Sequence, residues 1–173
     1  MSGHHIAQLN IARAVAPLED PLLADFMAQL DAVNAMAEAS PGFVWRLKSD
    51  SGNATDIRAY DDPRMIVNMS VWESIDALFA FTYKTAHTKV MNRRKEWFEP
   101  LPGPHMVLWW IEAGTIPTVV DAQRRLNHLA KYGPTAEAFT FKVKFAPPSA
   151  PMVGAALRGR PAEGRPHGDA PTE

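Results

Sequence analysis

Residues 65–79 read MIVNMSVWESIDALF, and the spacing of their apolar side chains changes partway through. From Met65 to Trp72 the period is two: Met65, Val67, Met69 and Val71 share one face, Asn68, Ser70 and Trp72 the other. That is the period of a β-strand, whose successive side chains point to opposite faces. Ser74 is then a good N-cap, and Ile75, Phe79, Ala86, Val90 and Trp97 form a stripe at about 100° per residue, the helical spacing. The stripe predicts one long helix to about Phe98, closed by Pro100, Pro102 and Pro104.

Upstream, His5 to Arg13 alternates, with Ala7, Leu9 and Ile11 opposite Gln8 and Asn10. Asp20 and Pro21 open a helix whose largely apolar face is Leu23, Phe26, Met27, Leu30, Val33, Asn34 and Ala37, and Pro41-Gly42 ends it. Phe43 to Lys48 reads as a second strand, Ser51-Gly52-Asn53 as a turn, and Ala54 to Tyr60 as a short edge strand. Downstream, Met106 to Ile111 is apolar on both faces, as a central strand should be. Thr118 caps a helix that stops at Gly133-Pro134, and Ala138 to Phe145 alternates as a last strand. The pattern predicts an α+β fold: ferredoxin-like βαββαβ with an extra C-terminal helix and strand, a mainly antiparallel sheet, and helices on one face. The domain should span 1–145. Pro, Gly and Ala dominate 146–173, which should form a disordered tail.

With 46% apolar residues the chain can bury a core. Its 18 basic and 19 acidic side chains leave a net charge of −1, which argues against nucleic acid and against an anionic membrane surface as partner. The absence of cysteine excludes disulfides, thiolate nucleophiles and cysteine-based metal sites. Neither a signal-peptide pattern nor an apolar run of about 18 residues is present, so the expected location is cytoplasmic.

If the helices cover one face, the other carries Gln8, Asn10, Asn68, Ser70, Trp72 and one side of Met106, Leu108 and Trp110. Such a face is too apolar to leave bare, so two copies are expected to pack these faces together as a homodimer, a dimeric α+β barrel. A small-ligand cavity would then lie between sheet and helices. The same polar side chains serve equally well as bridges across the interface.

Tyr83, His87, Met91 and Arg94, spaced by four, four and three, share one shoulder of the long helix. There His87 can be a general acid or base, a metal or haem-iron ligand, or a packed side chain. Arg94 can pair with a carboxylate of a substrate or of a haem propionate, or lie with Arg93 and Lys95 on a solvated face. Tyr83 can donate a hydrogen bond. The expected substrate-binding set is Gln8, Asn68, Ser70, Tyr83, Met91, Arg94 and Trp110, and the expected catalytic set is Asn10, Trp72 and His87. Trp72, Trp97, Trp109 and Trp110 are core residues or stacking platforms. With no dinucleotide fingerprint, phosphate loop, nucleophile elbow or zinc helix, chemistry falls to a bound cofactor such as haem or to the substrate itself.

Val71-Trp72-Glu73-Ser74, followed by Leu78, Phe81, His87, Arg94 and Trp97-Phe98, is similar to a bacterial family known only as a domain of unknown function. Trp109-Trp110-Ile111, Gly114, Ile116-Pro117-Thr118 and Ala138-Phe139-Thr140-Phe141 extend the resemblance over about Ile6 to Phe145. That family resembles the dimeric α+β barrel superfamily. Its relatives include cofactor-free antibiotic-biosynthesis monooxygenases, haem-degrading monooxygenases, chlorite dismutases and aldoxime dehydratases. The resemblance implies a dimer with one pocket per subunit. In the haem-degrading relatives an Asn on the first strand, a Trp after the third and a His on the next helix surround the haem. Asn10, Trp72 and His87 are similar in type and element.

Three functions follow. One is a monooxygenase-like enzyme without cofactor, acting on a mostly apolar substrate, with Asn10, Asn68 and Trp72 on the oxyanion and His87 as base. The second is a haem enzyme with His87 as axial ligand. The third is a binding or stress-related barrel without chemistry, its pocket filled by its own side chains.

Overall fold

In the computed structural model the structure describes residues 3–149, so most of the expected tail, from residue 150 on, lies outside the described residues. Among the described residues five strands and five α-helices are formed: β1 His4–Ala14, α1 Ala24–Ala39, β2 Phe43–Arg46, β3 Met65–Trp72, α2 Ile75–Lys84, α3 His87–Asn92, α4 Arg94–Trp97, β4 Phe98–Glu99, β5 Met106–Glu112 and α5 Val119–Tyr132. β1 is central. It pairs antiparallel with β3 on one side, and on the other with β5 and, further along, with the two residues of β4. β2 pairs antiparallel with β3. The order β2-β3-β1-β5 makes two interleaved split βαβ units, the ferredoxin-like arrangement expected from the sequence.

The caps act as their chemistry dictates. Ser74 accepts from Ala77 N–H and Thr118 from Asp121 N–H. Asp20 accepts from Leu22 N–H and opens a 3₁₀ turn, Pro21–Leu23, that leads into α1. Gly42, at φ 80°, joins α1 to β2 where a Cβ would lie 2.6 Å from that of Ala77. The turn therefore seats directly on α2, and Glu73 N–H donates to Gly42 O at 2.7 Å.

Four expectations are corrected. The long helix breaks at Thr85, whose hydroxyl donates to Phe81 O and accepts from His87 N–H, so helix Ile75–Lys84 buries Leu78 and Thr82 and leaves Ala86 exposed. Residues 54–60 form no strand, because Ser49 and Ser51 hold Asp56 in a turn. The last strand shrinks to two isolated bridges, Ala138 with Thr135 and Phe139 with Leu108. The two faces of the sheet also differ from the expected arrangement.

Ala7, Leu9, Ile11, Val67, Met69, Val71, Val107 and Trp109 make one face, and α5 covers it with Ala122, Leu126 and Leu129. Leu47, Ile57 and Tyr60 pack against the same cluster. Helices therefore lie on both sides of the sheet. The mixed face that was expected to meet a second copy, with Gln8, Asn10, Asn68, Ser70 and Trp72, looks instead toward α1–α4. Among the described residues no helix is long and apolar enough to cross a membrane.

Candidate functional site

Between that mixed face and α1–α4 lies a cavity of about 250 Å³. It exists because the face is lined with polar side chains that α1 does not seal. Phe26, Leu30, Val33 and Asn34 of α1 point to it and are only partly buried, whereas Ala37, nearer the end of the helix, packs closed.

The floor is a hydrogen-bonded row across β1 and β3. The Trp72 indole N–H donates to Ser70 Oγ at 2.9 Å, and Gln8 Nε2 donates to the same oxygen at 3.0 Å and to Asn68 Oδ1 at 2.9 Å. The register requires this meeting, since Gln8 lies opposite Ser70 and Asn10 opposite Asn68. Both Gln8 amide hydrogens and the Trp72 N–H are thereby used within the row. Among the described residues the Asn68 and Asn10 amide N–H groups and the Ser70 hydroxyl proton find no acceptor, and they are left to meet a guest.

Above the floor three rings stack. Phe81 lies on Trp72 at 5.1 Å, His87 lies on Phe81 at 4.8 Å, and Phe43 meets Trp72 edge-on at 5.4 Å. His87 Nδ1 is 3.3 Å from Thr82 O. A carbonyl only accepts, so Nδ1 carries the proton and Nε2 is the bare, basic nitrogen. Burial disfavours the charged ring and holds His87 below its ordinary pKa, the Thr82 carbonyl opposing in part. The ring is thus kept neutral and fixed in one tautomer.

Of the residues picked from sequence, Gln8, Asn10, Asn68, Ser70, Trp72, Tyr83, His87, Met91 and Arg94 all line this one cavity. Trp110 does not: it sits beyond the polar row, opposite Ile6, and its indole N–H donates to Phe145 O at 2.8 Å. The lining also includes residues that no sequence pattern marks, among them Arg46, Asn53 and His105. Asn34, counted there as part of a core stripe, donates to Asn53 Oδ1 at the cavity wall.

A haem was among the expected cofactors. His87 Nε2 has the chemistry of an axial ligand. A cavity of about 250 Å³, however, lies below the usual range for drug-sized ligands, roughly 300–1,000 Å³. Among the described residues no three His, Asp or Glu side chains gather to hold a metal ion.

One protein family, described as a domain of unknown function (DUF3291), matches residues 5–155. The chain belongs to this family. The match of this DUF3291 protein takes in all five strands except His4, and the whole cavity. No curated protein matches it. Among solved structures it is similar to SnoaB, a cofactor-independent oxygenase from Streptomyces nogalater, at 15% identity and a TM-score of 0.42 over 66% of this chain and 97% of that one. A protein of unknown function from Nitrosomonas europaea, NE2512, is similar at 16% identity and a TM-score of 0.42, over 68% and 99%. Likeness of this degree says nothing of what the DUF3291 chain does.

Proposed function

We propose that the chain is a monooxygenase-like enzyme that needs no prosthetic group and acts on a mostly apolar, two- or three-ring substrate in this cavity. The observation that carries the reading is His87, held neutral with Nε2 bare in the same apolar cavity as a row of unspent amide donors. His87 takes a proton from a substrate carbon acidified by conjugation to a carbonyl. The Asn10 and Asn68 amides and the Ser70 hydroxyl donate to the oxyanion that develops. Trp72 acts through Ser70, which it orients, and not on the substrate directly. The substrate carbanion then reduces O₂, the oxygen adds to that carbon, and loss of water leaves a new carbonyl. The stoichiometry is one substrate CH₂ plus O₂ giving C=O plus H₂O.

Anthrone, whose carbanion its own rings stabilise, is a suitable probe. Wild-type protein should speed O₂ uptake and the appearance of anthraquinone, and His87→Ala should slow turnover by about 10²–10⁴-fold while near-UV circular dichroism is unchanged. Equal rates for the folded variant and the wild type would refute His87 as base. No acceleration by the wild type, with anthrone bound, would leave a binding protein without this chemistry.

A further inference from the structure

Arg94 differs from the other partly buried arginines in having no acidic partner. Arg13, Arg46, Arg64, Arg93 and Arg125 each have a carboxylate within 3.8 Å. Among the described residues Arg94 has none. Its one hydrogen bond is a long one, 3.5 Å, to Ile11 O. The cavity it lines contains Arg46, Arg94, His87 and His105 but no Asp or Glu. Arg46 is neutralised by Glu38 at 2.7 Å, so Arg94 is the fixed positive charge left uncompensated there.

Arg94 is also placed beside other groups suited to an anion. Ile11 O accepts from Arg94, and Ile11 N–H donates to His105 O at 2.8 Å, so both residues are tied to the same residue of β1. Asn10, next in the strand, has no side-chain hydrogen bond among the described residues. Burial and the Arg94 charge both hold His105 below its ordinary pKa, as expected of a ring close to that guanidinium. Burial also pushes the Arg94 pKa down, which registers the cost of a cation with no counter-charge.

We propose that the end of the cavity formed by Arg94, His105 and Asn10 receives a carboxylate carried by the otherwise apolar substrate. The guanidinium fork matches two carboxylate oxygens, and the neighbouring amide and imidazole N–H groups can donate alongside it. The carboxylate supplies the missing counter-charge and points the rest of the molecule along the row toward His87. This inference rests on the cavity being a small-molecule site.

The test is calorimetric titration of the full chain with 2-naphthoate and with 2-naphthamide, its neutral counterpart, for the wild type and for Arg94→Gln. The acid should bind at least about tenfold more tightly than the amide, and that preference should vanish in Arg94→Gln while amide affinity stays as it was. Added salt should weaken only the acid. Equal binding of acid and amide by the wild type overturns the carboxylate site and leaves the cavity reading standing. A variant that weakens both ligands alike also overturns it. If neither compound binds the wild type, the small-molecule reading fails and this inference with it. Should Arg94→Gln not fold, the acid-to-amide ratio and its salt dependence in the wild type decide alone.

Discussion

The two faces of one sheet have been put to different uses. On one, Ala7, Leu9, Val71, Val107 and Trp109 are fully buried, and α5 closes over them. On the other, Gln8, Ser70 and Trp72 are buried, yet Asn10 and Asn68 are left to face open space. Both sets come from the same strands, alternating residue by residue. The dry face makes no demand on geometry beyond filling space, and its burial is worth about 25 cal/mol per Å². The hollow face gives up that gain to hold polar groups at fixed places. Changes on the first should therefore cost stability, and changes on the second should cost function.

The largest expected effect is on the dry face. Trp109→Ala should lower the free energy of unfolding by about 3–5 kcal/mol in urea titration. A loss under about 1 kcal/mol would mean that α5 does not seal that face. Next comes Gly42→Ala, which combines a left-handed backbone with a Cβ pressed on Ala77. It should cost about 3 kcal/mol in the same titration, and an unchanged midpoint would count against that seat.

On the hollow face, Ser70→Ala removes the oxygen that receives both Trp72 and Gln8. It should cost about 1–3 kcal/mol and slow anthrone turnover by more than that loss explains. If turnover holds while stability falls, the row is only structural.

Acid sensitivity should be smaller still. Below the ordinary pKa of 6.5 the unfolded chain protonates His87, whereas the folded chain does so only at lower pH. Stability is thus undiminished above pH 6.5 and declines as pH falls from there to the folded value, with His105 adding to the slope. His87→Gln should flatten that decline, and an equally steep curve would show that the ring is not held neutral. The smallest effect belongs to Trp110→Phe, which loses one hydrogen bond outside the cavity. About 0.5–1.5 kcal/mol of stability should go, with turnover unchanged.

Much of this contrast could be read from residue order. The period of two in β1 and β3 sorts Gln8, Asn10, Asn68 and Ser70 from Leu9 and Met69 without any structure. The sequence does not say which face a helix will cover, and the mixed face was assigned to a partner copy when α1–α4 cover it. The break at Thr85 was hidden because the apolar spacing runs on across it, while the cause is a hydroxyl bonding to its own backbone. His105 had no pattern to give it away: a backbone bond to Ile11, distant in sequence, brings it to the cavity. The spacing of Arg94 places it beside His87, but its lack of a counter-ion among the described residues is visible only when the neighbours are in place.

The central position of β1 has a consequence for how the molecule is made. Of the strands in this sheet β1 leaves the ribosome before the others, and β3 and β5 must both find it. Gln8 cannot meet Ser70 until β3 has emerged, and its neighbour Leu108 comes later still. Such distant pairings close slowly, so folding of the sheet should wait for nearly the whole domain to be synthesised. The cavity is accordingly one of the last features to form, and it has no existence in any shorter stretch of the chain.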